Sequence, residues 1–327
     1  MRHLSYLLAA AFLLVSSISW AQEGRWKAQG WKTDFSRKSV NFGEILSGGP
    51  PKDGIPPIDN PQFIAVADEA DLTDRDPVIG LNVNGDARAY PLSILTWHEI
   101  VNDKVGGTPV TVTYCPLCNA AIVFDARVDG KALSFGTTGK LRNSDLIMYD
   151  RGTESWWQQF IGEGIVGAYT GQKLKLLPAR LESWKEFRER HPDGQVLVPN
   201  NARMRDYGRN PYVNYDLAAR PFLYDGSMPQ GIEPMARVVV IRQEQGEPLI
   251  VTMEELRENT PLDLEGFQLS WREGQASALH TRQISQGRDV GTVLAKRLSD
   301  GADVPYDVTF AFVAHAFHPE VEIRGKK

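Results

Sequence analysis

Val78-Ile79-Gly80-Leu81-Asn82-Val83-Asn84-Gly85-Asp86-Ala87-Arg88-Ala89-Tyr90-Pro91-Leu92-Ser93-Ile94-Leu95 is the stretch from which the fold is read. Val78 to Val83 is an apolar run. It breaks at Asn84-Gly85-Asp86, where Asn and Gly tolerate the positive φ that tight hairpin turns require. Ala87 to Tyr90 resumes extended character. Pro91 suits a first helical position, and Leu92, Leu95 and Glu99 lie along one side of a short helix.

A second unit follows the same plan from Val238 to Leu256. It has an apolar strand, Gln245-Gly246, a short strand, and a helix opened by the Thr252-x-x-Glu255 capping box. Gly85 matches Gly246 and Leu95 matches Leu256 at one offset of 161 residues. Gly106 to Tyr114 recurs roughly as Gly266 to Trp271. The second unit has no counterpart of His98, Cys115 or Cys118, so chemistry is expected in the first. Further strands are expected at Val110 to Tyr114 and on either side of Asp129-Gly130. Leu181, Trp184 and Phe187 are spaced as a helix, which must stop by His191 because Pro192 follows. The expected class is α+β, mostly antiparallel β with short helices, in two duplicated halves.

With 42% hydrophobic and 24% charged residues, the 327-residue chain is ordinary globular material with ample core. The formal charge of −5 comes with no basic block, which argues against nucleic acid as a partner. Arg2, the apolar stretch Leu7 to Ile18 and Ser19-Trp20-Ala21 form a secretory signal pattern. Residues 1–21 are therefore expected to be a signal peptide and Gln22 the mature N-terminus, which predicts a periplasmic or secreted protein. No later segment is long and apolar enough to span a bilayer. Residues 22–62 form a polar, Pro-rich arm; the prolines between Gly48 and Pro61 forbid helix there, and Ile55, Ile58 and Phe63 favour docking on the surface. Residues 63–327 are expected to be a single compact domain, with halves of about 63–200 and 225–327.

The only two cysteines stand in Cys115-Pro116-Leu117-Cys118. Such a pair in an exported chain is a disulfide, a redox couple or part of a metal site. A thioredoxin-like fold is rejected, because Ala120 to Phe124 reads as strand where that fold needs a long helix. With His98, the pair forms a soft donor set suited to copper first and zinc second. Water, Glu99, Met148, His315 or His318 are candidates for a fourth position, and Glu99 is also a candidate for handling protons. A zinc-deaminase reading fails, since His98 and Glu99 are adjacent and point about 100° apart on a helix.

A second constellation, Lys140, Arg142, Asn143, Asp145, Asp150 and Trp156, combines charges, an amide and an aromatic plane. These are groups that hold a small anionic or flat ligand. Three functions follow: a metal-binding protein, a thiol–disulfide oxidoreductase, and a ligand-binding module or hydrolase with a structural disulfide. The expected partner is a metal or small molecule.

Several motifs also resemble a known family, the bacterial and archaeal domain of unknown function numbered thirty-one seventy-nine. They are Gly54-Ile55-Pro56-Pro57-Ile58-Asp59-Asn60-Pro61, Ala89-Tyr90-Pro91-Leu92, His98-Glu99-Ile100-Val101-Asn102-Asp103, Tyr114-Cys115-Pro116-Leu117-Cys118, Ser134-Phe135-Gly136, Leu141-Arg142-Asn143-Ser144-Asp145-Leu146 and Trp156-Trp157-Gln158. His315-Ala316-Phe317-His318-Pro319 is similar to the family's aromatic ending, although His315 departs from it. The resemblance implies an exported or envelope-associated protein and carries no established reaction.

Overall fold

Strand-forming runs dominate the computed structural model, which describes residues 21–243 and 246–326. Of the signal peptide expected over 1–21, all but Ala21 lies outside the described residues, as does Gln245 of the second turn.

The strands form five small sheets arranged in a ring like a five-bladed propeller. One sheet runs Leu46–Ser47, Phe135–Arg142, Asp145–Asp150, Trp156–Gln158, Glu163–Val166. The next runs Lys175–Leu176, Ala120–Asp125, Thr108–Cys115, Ile100–Val105. A third runs Ala179–Ser183, Pro77–Val83, Asp86–Pro91, Gln195–Val198, Gln62–Ala65. The fourth runs Tyr306–Phe310, Arg237–Ile241, Leu249–Thr252, Ile323–Arg324, and the fifth Leu262–Leu264, Phe267–Arg272, Thr292–Arg297. A two-stranded ribbon, Arg127–Val128 with Lys131–Ala132, lies outside these.

This corrects the expected α+β class. Strand accounts for 38% of the chain and helix for 15%, so the protein is mostly β. Apart from a helical run over residues 21–28, the helices Leu92–His98, Trp184–Arg190, Met253–Glu258 and Ala311–Phe317 have six or seven residues each and build no layer. Each begins directly at a strand end, where Pro91, Ser183, Thr252 or Phe310 serves as an extended N-cap. The helical spacing in the sequence marks corners between strands, and Leu181, expected in a helix with Trp184 and Phe187, lies in the strand Ala179–Ser183.

The two duplicated halves are corrected as well. The units 161 residues apart do fall in sheets of like order, each with three antiparallel strands and a fourth added in parallel, although the sheet of the first unit carries a fifth strand, Gln62–Ala65. The whole chain closes as five sheets of unequal size around a ring, which two halves do not describe.

Residues 22–62 lie against the sheets. Ile58 N–H donates to the Ile100 carbonyl at 2.9 Å, and Asn102 N–H donates to the Ile58 carbonyl at 2.8 Å. Gly139, at φ 68°, has no Cβ because one would run into the Pro50 carbonyl. Trp26, Trp31, Phe35 and Phe42 bury themselves around Trp156. Among the described residues no helix is long and apolar enough to cross a membrane.

Candidate metal centre

The strand Thr108–Cys115 pairs antiparallel with Ala120–Asp125, so Cys115 and Ala120 face each other across the Pro116–Asn119 turn. Cys118 N–H donates to the Cys115 carbonyl at 3.2 Å, and Asn119 closes the turn at φ 52°. Asn tolerates this left-handed conformation better than most residues. Its side-chain amide donates to the Val308 carbonyl at 2.8 Å. Thr309 Oγ1 donates to the Cys118 carbonyl at 2.7 Å. The cysteine turn is thereby pinned to the far strand Tyr306–Phe310.

A second hairpin meets it. Phe135–Arg142 and Asp145–Asp150 are joined by Asn143-Ser144, both at positive φ (54° and 62°), as a two-residue turn of this hand requires. The Ser144 carbonyl then lies 3.8 Å from Cys115 Sγ and 3.5 Å from Cys118 Sγ, accepting from the thiols. Asp145 follows. One ligand atom each from Cys115, Cys118 and Asp145 lie within 4.8 Å of one another, and all three residues are buried.

Asp145 is held in place from one side. Its Oδ2 accepts from Gln158 Nε2 at 2.6 Å and from Phe160 N–H at 2.9 Å. Its buried Oδ1 has no well-formed hydrogen bond, although the thiols are near enough to favour its charge. Burial pushes Asp145 up to about 6. Glu99, buried nearby at φ 58°, is pushed up to about 8, by burial first and then by Asp145. Burial also raises both thiols. Among the described residues neither carboxylate has an ion-pair partner. Two thiols and a carboxyl thus crowd a buried site, an arrangement that a bound cation relieves.

His98 is engaged elsewhere. Its Nδ1–H donates to the Pro56 carbonyl at 2.6 Å, which leaves Nε2 to accept from the Tyr207 hydroxyl at 2.7 Å. The tautomer is fixed, both nitrogens are occupied, and burial lowers the basicity of the ring. His98 ties the Pro-rich arm and the Tyr207 loop to the sheets. His98→Ala is expected to destabilise the fold by about 1–3 kcal/mol through the two lost bonds and to leave any bound metal in place. Urea melts and metal content of the same preparation check both.

The other sequence candidates are dispersed. Met148 packs in the apolar cluster that holds both cysteines. Lys140 is buried, its ammonium 5.0 Å from the Trp31 ring centroid and 5.3 Å from that of Trp156, and burial lowers it to about 8. Arg142 pairs with Glu44 at 2.7 Å. Asn143 makes the turn. Asp150 accepts from Thr153 N–H at 2.7 Å and Ser155 N–H at 3.1 Å, capping its own loop. Trp156 sits in the aromatic cluster of the arm. His315 Nε2 meets Ser227 Oγ at 3.1 Å, and His318 Nδ1 lies 3.9 Å from Glu247.

The shared motifs also have structural work. Asn102 exchanges two bonds of 2.8 Å with the backbone of Phe135. Asp103 takes Arg88 at 2.8 and 2.9 Å and the Tyr90 hydroxyl at 2.7 Å.

The family model described as Protein of unknown function (DUF3179) matches residues 52–321. No curated protein and no solved structure matches the chain.

Proposed function

We propose that this chain, which belongs to the family described as protein of unknown function DUF3179, is a metal-binding protein whose ion is held by Cys115, Cys118 and Asp145. The observation that carries the reading is the buried Asp145 carboxylate packed against two buried sulfurs, its Oδ1 having only the thiols for partners. An isolated buried carboxylate oxygen costs free energy, and a cation shared with two thiolates removes that cost.

The donor set also bears on the metal. Two thiolates alone suit Cu(I), but a carboxylate is a harder ligand, and Zn(II) accepts both. We therefore place zinc ahead of copper. The raised thiols argue against a free nucleophilic pair, since thiol–disulfide exchange begins from a thiolate. We also propose export on the strength of residues 1–21; N-terminal sequencing of the mature protein should begin at Gln22.

The test is elemental analysis of protein purified without added metal or chelator, with thiols titrated in parallel. About one zinc per chain with no disulfide is expected. Metal-free protein that carries a Cys115–Cys118 disulfide and takes up no zinc after reduction would discard the proposal.

A further inference from the structure

A cavity of about 460 Å³ lies directly outside the Cys115/Cys118/Asp145 cluster. It falls within the usual size range of small-molecule sites. Its inner wall is Glu99, Leu117 and Leu146, and each of these residues neighbours the cluster in sequence or space. Its outer wall comes from the segment 211–222, including Tyr212, Tyr215, Ala218 and Phe222.

That segment is fastened to the two turns beneath it. The Tyr215 hydroxyl donates to the Leu117 carbonyl at 3.1 Å and accepts from Phe222 N–H at 3.3 Å. Ser144 Oγ donates to the Phe222 carbonyl at 2.5 Å. The wall is therefore built, although Phe222 and Val213 remain 57% and 45% exposed at the mouth. Large apolar side chains left in water at the entrance of a cavity gain from covering.

Glu99 supplies a second and independent sign. It is 7% exposed. Its backbone is satisfied, with N–H donating to the Leu95 carbonyl at 2.7 Å and the carbonyl accepting from Tyr114 N–H at 2.8 Å. Its carboxyl makes no hydrogen bond among the described residues. A buried polar group without a partner calls for an explanation, and a ligand is one. The Tyr212 hydroxyl, near Glu99, has no hydrogen bond among the described residues either.

We infer that this cavity binds a small, neutral, flat aromatic molecule bearing one hydroxyl or carbonyl group, with the polar group on Glu99 and the ring against Tyr212, Tyr215 and Phe222. The walls are mostly aromatic and apolar; Glu99 is the one acidic side chain among them, and Lys140, which also lines the cavity, has its ammonium against the Trp31 and Trp156 rings. Rings stack or meet edge to face at such a surface, and a single polar group fixes the orientation. The site does not need the metal, although it shares the Leu117 and Ser144 turns with it.

Calorimetric titration of the full chain with 2-naphthol, in metal-loaded and metal-free protein, tests this. Saturable one-to-one binding is expected in both. Ala218→Trp fills the cavity and is expected to weaken binding at least tenfold. Phe222→Ala, at a side chain already largely in water, is expected to keep the fold and weaken binding several-fold. Glu99→Gln is expected to weaken it threefold or more. Absence of saturable binding to the wild type at 1 mM probe overturns the inference. So does binding that Phe222→Ala and a folded Ala218→Trp both leave within twofold. Metal counts on the same samples separate this result from the metal proposal, because neither of those two substitutions touches a metal ligand.

Discussion

Cys115→Ser is expected to release the metal from the purified protein, with zinc falling from about one per chain to background. Serine keeps the size of the side chain but offers a hydroxyl that does not ionise at neutral pH, so the thiolate bond is lost and not merely lengthened. Apparent zinc binding in small structural sites is worth about 10–16 kcal/mol; spread over the ligands, each is worth about 3 kcal/mol, or over a hundredfold in affinity. Cys118→Ser and Asp145→Asn are expected to lose similar factors. In Asp145→Asn the Oδ2 partners, Gln158 Nε2 and Phe160 N–H, are still met by an amide oxygen, so this variant reads the missing charge with little structural damage. Binding should weaken as pH falls in every case, because the ligands must shed protons to hold the ion. The wild type should melt higher in zinc than in chelator, by about 4 kcal/mol of stability at a thousandfold excess over Kd. Stoichiometric zinc retained by Cys115→Ser and Asp145→Asn together would place the metal elsewhere.

What could be read in the sequence was local. The Asn84-Gly85 hairpin, the strand leading into Cys115 and the helix cap at Thr252 follow from residue chemistry within a few positions, and they appear where expected, while Pro91, expected as the first helical residue, is the N-cap instead. The motifs also pointed to the family that the family model matches. The ring of sheets was not legible, because which strand lies beside which is set by contacts over long separations. Gln195–Val198 pairing parallel with Asp86–Pro91 leaves no local trace. The turn at Asn143-Ser144 was hidden for another reason. Asn-Gly announces such a turn, whereas Ser144 at φ 62° is an uncommon choice. Without that turn Asp145 looked like one polar residue among several in a ligand-binding stretch. With it, Asp145 arrives at the sulfurs and His98 does not. His98 shares a helical face with buried neighbours, and spacing alone cannot show that Pro56 and Tyr207 occupy both its nitrogens.

Trp156→Ala is expected to cost about 3–5 kcal/mol, the range for emptying a large aromatic site in a packed core. The indole is completely buried, with Trp26, Trp31 and Phe35 at centroid distances of 4.7, 5.1 and 5.4 Å, mostly edge to face. These three rings belong to the segment before residue 46, so the cavity would open between that segment and the Asp145–Asp150 and Trp156–Gln158 strands. The loss should therefore be uneven. Limited proteolysis is expected to cut residues 22–45 first in the variant, while the sheets around the cysteines stay resistant. Zinc content should persist, because Trp156 stands in a cluster separate from the one holding Cys115 and Cys118. Trp156→Phe keeps an aromatic face toward Trp26 and should recover most of the stability, since ring packing and not the indole N–H, which has no partner, is at stake. A melt of Trp156→Ala within 1 kcal/mol of wild type would mean that the N-terminal aromatics pack without needing this side chain. The sequence-based assignment of Trp156 to ligand stacking would then regain force.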